Sequence, residues 1–178
     1  MRHQWIRIGI AVVLVGGAVV PGASPPAAFA QTQDDQAAAK QLLGVWRLVS
    51  WTQRGVDGST RPGLTDVGNL IYTDANRMCA VMMDSKRPKW ESGPPASVDL
   101  AVGRFSGFVS YCARVEVHAR EGFVLHHVDL ERSPNIVGTI RKRWFSFEGP
   151  NRLTLRIDAA ELGASVKDST LVWERITK

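Results

Sequence analysis

The chain has 178 residues, of which 44% are hydrophobic and 22% charged, an ordinary globular balance with enough length for one domain and a buried core. Its 22 basic and 17 acidic residues give a formal net charge of +5. Two of the basic residues, Arg2 and Arg7, stand at the extreme N-terminus, so the remainder is only mildly basic and gives no reason to invoke nucleic acid.

Residues 1–30 read as a signal peptide. Arg2 and Arg7 supply the positive start, Ile8 to Val20 is an uncharged, mostly apolar run, and a stretch of small residues and Pro ends in Ala28-Phe29-Ala30. That ending is the A-x-A pattern of a cleavage site, and the run is short for a bilayer span. Residue 31 is Gln rather than Cys, which argues against a lipid-anchored mature end. The expectation is a secreted or periplasmic protein with no stable membrane insertion after cleavage near Ala30.

Residues 31–41 form a polar lead-in that ends in a short helix, and the folded domain spans 42–178. Eight short β-prone runs follow, separated by turn signals: Val45 to Gln53, Asn69 to Thr73, Met78 to Met83, Tyr111 to His118, Phe123 to Leu130, Thr139 to Phe147, Leu153 to Ile157, and Thr170 to Ile176. Between the third and fourth runs, Val98, Ala101, Val102, Phe105, Phe108 and Val109 fall at helical spacing after a Ser97 cap, which predicts an inserted helix at about 97–109. Eight strands joined mostly by tight turns, with room for up to ten, predict an all-β, antiparallel up-and-down barrel, because closure removes both exposed sheet edges.

The faces follow from alternation. Tyr111, Ala113, Val115 and Val117 form the apolar face of the fourth run. A four-residue turn, 119–122, sets Val117 opposite Val124 and Val115 opposite His126, so the apolar faces of the fourth and fifth runs coincide and define the interior. A five-residue turn matches Phe145 and Phe147 to Leu155 and Leu153 and carries Arg143 inward. A simple register then puts His126 beside Arg143. The third run is apolar on both faces, and its outer face needs cover, for which the inserted helix is the nearest candidate. An oxidising compartment permits a disulfide between Cys79 and Cys112. Antiparallel pairing from Tyr111 puts Cys112 near Met83, so buried free thiols stay open as the other reading.

Leu42-Leu43-Gly44-Val45-Trp46-Arg47-Leu48-Val49-Ser50-Trp51 resembles the opening of the bacterial and fungal lipocalin-like domain family. The likeness continues through Leu70-Ile71-Tyr72-Thr73, Arg77-Met78, Tyr111, His126-His127-Val128, Ser133-Pro134-Asn135 with Gly138, Arg143, Leu153-Thr154-Leu155 and Leu171-Val172-Trp173-Glu174-Arg175. The resemblance implies a calycin-type barrel and no shared activity. Gly44-x-Trp46 is also similar to the opening of the lipocalins proper, which implies a structural pairing of Trp46 with the late Arg175 at the closed end.

An arginine in an apolar lumen needs a partner. No acidic residue lies on the inward face assigned to the central strands, so Arg143 points to a ligand carboxylate, phenolate or enolate. His126 is a second donor, Tyr72 and Tyr111 add hydroxyls, and Phe145 adds an apolar wall. His126 and His127 alternate in direction and cannot chelate one ion together, so neither metal nor cofactor is implied. Arg141-Lys142-Arg143 reads as a solvated basic run or a site for an acidic partner. The primary reading is an exported barrel that binds a small hydrophobic or amphipathic, and in one version anionic, ligand, with oligomeric state undefined. There is no nucleophile elbow, P-loop or paired carboxylate, so carriage is favoured over catalysis. Two alternatives stand: a cyclase or isomerase of polyketide- or terpenoid-like substrates with His126 as general acid or base, and a structural barrel filled by Met78, Met82, Phe145 and Phe147.

Overall fold

The computed structural model describes residues 31–87, 89 and 106–177. The signal-peptide reading of 1–30 lies outside them, as does the inserted helix over its stretch 97–105.

The polar lead-in is a helix, α1 (Gln33–Leu42). It starts with a capping box: Asp35 N donates to the Thr32 hydroxyl at 3.2 Å, and Thr32 N donates to the Asp35 carboxylate at 2.9 Å. The other Asp35 oxygen accepts the Ala119 N–H at 2.7 Å, which ties the helix to the barrel. Burial works against the Asp35 charge, but the hydrogen bonds from Ala119 and Thr32 outweigh it and hold the carboxyl below its ordinary range. Leu42, at the end of the helix, is buried in the core.

Nine antiparallel strands follow: β1 (Gly44–Gly55), β2 (Thr60–Pro62), β3 (Val67–Tyr72), β4 (Arg77–Met83), β5 (Phe108–His118), β6 (Phe123–Glu131), β7 (Ile140–Phe147), β8 (Arg152–Asp158) and β9 (Val166–Arg175). β1 pairs with β3 through Gly44 to Arg47 and with β9 through Trp46 to Gly55, so β1 and β3–β9 close an eight-stranded barrel. The three-residue β2 is an appendage on the second half of β1. Alternation places Trp46, Leu70, Met78, Ala113, Val124, Leu153 and Trp173 inward, where they form one core.

The β5–β6 register is the predicted one, with Val117 opposite Val124 and Val115 opposite His126. Phe145 and Phe147 also face Leu155 and Leu153 as expected.

Two expectations are corrected. Phe108 and Val109, assigned to the inserted helix, open β5 instead. That earlier start pairs Phe108 with Met83, so Cys112 lies opposite Cys79 rather than near Met83. The two cysteines form a disulfide with a Cα–Cα distance of 4.1 Å. The cause is the turn at Gly107, whose carbonyl accepts the Asp84 N–H at 2.8 Å and lengthens the ladder by three residues. On the outer face of β4, Val81 and Met83 are exposed among the described residues.

Candidate functional site

The barrel has a closed end and an open end. At the closed end, α1 crosses the mouth formed by the start of β1 and the end of β9. Trp46 is fully buried there and donates from Nε1 to the Leu42 carbonyl at 2.8 Å. Arg175, its register partner, stacks its guanidinium 4.0 Å from the Trp46 ring and donates to the carbonyls of Gln41, Leu43 and Pro150. Gly44 has φ +117, and a Cβ there would stand 2.9 Å from Arg175 Nη1. The Gly-x-Trp spacing therefore encodes a backbone bend that makes room for the arginine. Phe147 packs 6.3 Å from Trp46, and Phe145 packs edge-on to Phe147 at 5.7 Å. Phe145 thus belongs to this floor and does not border the lumen cavity.

That cavity, of about 330 Å³, lies toward the open end. Its wall is mostly apolar, with Leu70, Ala80, Met82, Val109, Leu155 and Leu171, and it carries Trp51, Tyr111 and Trp173. Glu131, Arg132, Arg141, Arg143 and Glu161 supply its charged part. Of the four residues expected to fill the barrel, Met82 lines the cavity while Met78, Phe145 and Phe147 do not.

His126 is completely buried between two tyrosines from different strands. The Tyr72 hydroxyl meets Nε2 at 3.0 Å and the Tyr111 hydroxyl meets Nδ1 at 3.0 Å. Burial, with the nearby Arg143, Arg141 and His127 charges adding to it, pushes the His126 pKa well below its ordinary range, so the imidazole is neutral. Burial likewise raises Tyr72, with Tyr111 adding to it, and keeps its hydroxyl protonated. Tyr111 lines the lumen cavity, whereas Tyr72 lines a second cavity of about 300 Å³ between α1 and the barrel. The Tyr72–His126–Tyr111 chain thus joins the two.

Arg143 is buried and points inward, as expected, but its register partner is Val124, and Arg141 is the residue opposite His126. The Gly138 N–H bonded to the Val128 carbonyl sets this shift of two residues, and a shift of two preserves the faces. The expectation that Arg143 has no acidic partner is also corrected. Glu161, in the short 3-10 turn Ala159–Glu161 between β8 and β9, accepts from Arg143 Nη1 at 2.6 Å. The same nitrogen donates to the Lys142 carbonyl at 2.7 Å. Burial opposes the charge of Arg143, but Tyr111 and Glu161 outweigh it and keep the guanidinium protonated.

Glu131, Arg132, Arg141, Glu161 and Trp173 line the cavity outside the sequence reading. The basic run reads as solvated or as a site for an acidic partner, yet Arg141 holds its guanidinium 5.3 Å from the Tyr111 ring. Its parity with Arg143 and Phe145 was the available signal. Trp173 is 1% exposed and its Nε1 has no hydrogen-bond partner among the described residues; its parity with Leu171 marks it as inward. Glu161 comes from a turn and carries no such signal.

Outside the barrel, Glu116 accepts from both His118 and His127, each at 2.9 Å. His127 therefore points away from His126. Among the described residues, no group of three or more His, Cys, Asp or Glu side chains is placed to hold a metal. Lys142 also lies outside, 3.9 Å from both the Phe123 and Trp144 rings.

The family profile of the lipocalin-like domain matches residues 43–176. No curated protein matches the chain. Among solved structures, the chain is similar to a redesigned beta barrel at 13% identity, over 79% of this chain and 96% of that one, with a TM-score of 0.40. It is also similar to a de novo designed fluorescence-activating beta barrel at 12% identity, over 78% and 97%, with a TM-score of 0.39.

Proposed function

The chain belongs to the lipocalin-like domain family, and from that premise we propose that it is an exported protein that binds a small apolar or amphipathic molecule in its open-end cavity. The observation that carries this reading is the cavity of about 330 Å³, walled by Leu, Met, Val and Trp side chains with a few polar groups at fixed positions. Pockets of about 300–1,000 Å³ with that character are the usual form of small-molecule sites. Export is supported by the Arg2/Arg7 start, the apolar run and Ala28-Phe29-Ala30. The Cys79–Cys112 disulfide is in keeping with an oxidising compartment.

The test is native mass spectrometry of the protein purified from its own host, beside an Ala80→Phe variant. Ala80 is buried and borders the cavity, so a ring placed there occupies ligand space. A small molecule bound to wild type and missing from a folded Ala80→Phe protein is the expected result. A wild type that carries nothing and takes up no fluorescent apolar dye would refute the reading.

A further inference from the structure

We propose that the cavity selects ligands by a neutral oxygen acceptor, such as a ketone or quinone carbonyl on an apolar ring system, and that Tyr111 is the residue that selects it. This rests on the binding reading above and names the ligand class for the same site.

The argument is a count of protons. The Tyr72 hydroxyl, the neutral His126 imidazole and the Tyr111 hydroxyl carry one mobile proton each. They share two hydrogen bonds, Tyr72 to Nε2 and Tyr111 to Nδ1. One proton is therefore left over in either tautomer. With the proton on Nδ1, Tyr72 donates to Nε2 and Tyr111 accepts from Nδ1. Tyr111 lines the cavity, so its own proton is then open to the lumen. With the proton on Nε2, Tyr111 donates to Nδ1 and the surplus moves to Tyr72, beside the second cavity. An acceptor in the lumen draws the surplus to Tyr111 and fixes the Nδ1–H tautomer.

The same geometry disfavours a carboxylate. Two carboxylates, Glu131 and Glu161, already stand in the cavity wall beside Arg132, Arg141 and Arg143. Arg143 gives its Nη1 to Glu161 and to the Lys142 carbonyl, and Arg141 lies over the Tyr111 ring. A ligand carboxylate would meet the repulsion of the two acidic groups.

The experiment compares three probes of nearly one shape by equilibrium dialysis: acetylnaphthalene, its isopropenyl isostere without oxygen, and naphthoate. We expect the ketone to bind at least about fivefold more tightly than the hydrocarbon, the effect of one satisfied buried donor. In Tyr111→Phe the ratio should fall to within about twofold while hydrocarbon affinity persists. Nitrogen NMR of His126 in the wild-type ketone complex should show Nδ1 as the protonated nitrogen, a reading that serves if Tyr111→Phe does not fold. Equal binding of ketone and hydrocarbon, or naphthoate as the tightest probe, overturns this inference and leaves the binding reading standing. Failure of all three probes to bind wild type overturns both.

Discussion

The buried histidine makes stability depend on pH in a calculable way. His126 is enclosed and neutral in the fold, with its pKa well below the ordinary 6.5. The unfolded chain therefore takes up that proton first as the pH falls. Stability contributed by this group is fully present above about pH 6.5 and is lost progressively below it, toward the folded value. If the native imidazole stays unprotonated, lowering the pH from about 7.5 to about 5.5 costs roughly 1.4 kcal/mol, the free energy of protonating one unfolded histidine. The assay is urea denaturation of wild type and His126→Gln at both pH values. Gln can still bridge the two hydroxyls but does not titrate. Asp35 and Glu116 also sit below their ordinary range; for both, burial opposes the shift and hydrogen bonds outweigh it. Their contributions are lost only below about pH 4.5, outside this window, and in any case are common to both proteins. The variant should therefore lose about 1.4 kcal/mol less than wild type between the two pH values. Equal pH dependence in wild type and His126→Gln, within about 0.3 kcal/mol, would refute the buried neutral imidazole.

Further outcomes follow from other contacts. Replacing both Cys79 and Cys112 with Ser opens a loop with a sequence separation of 33; the chain-entropy estimate is about 3.7 kcal/mol, or roughly 7–15 °C in melting temperature by calorimetry. Gly44→Ala forces a side chain onto φ +117 against the Arg175 guanidinium, and should destabilise by about 1–3 kcal/mol with a change in Trp46 emission. Asp35→Ala removes the capping box and the acceptor for Ala119 N–H; a loss of about 1–2 kcal/mol and faster hydrogen exchange at Ala119 are expected.

How far the sequence could be read depended on what fixed each register. His126 faces inward in the sequence reading because the turn at 119–122 is short. Gly122, at φ +77, donates back to the His118 carbonyl at 2.9 Å and leaves the strands one alignment. The β6–β7 loop is longer and carries its own 3-10 turn, so its register was two residues out although the faces were right. The β4–β5 register, which decides whether Cys79 meets Cys112, escapes the sequence for a related reason. Phe108 and Val109 fit a helical spacing, and only the Gly107 turn shows that they extend β5 instead. Glu161 was beyond reach, since a turn residue has no alternation to place it. The meeting of Tyr72 and Tyr111 over one imidazole was equally hidden, because it is set by the curvature of the closed barrel rather than by any one hairpin.

That triad is the part of the interior that packing alone does not explain. A barrel of this size could be filled by leucines and phenylalanines, and a polar group enclosed in such a core weakens it unless every hydrogen bond is made. Here three groups with three protons make two bonds with one another. Apolar replacements of such networks are often neutral or stabilising, so packing gives no reason for the surplus proton. A ligand acceptor in the adjoining cavity gives one. On that logic, Tyr72→Phe, His126→Leu and Tyr111→Phe together should give a barrel at least as stable as wild type near neutral pH that has lost its preference for a carbonyl ligand, whereas Tyr72→Phe with His126→Leu alone should keep that preference through the Tyr111 hydroxyl.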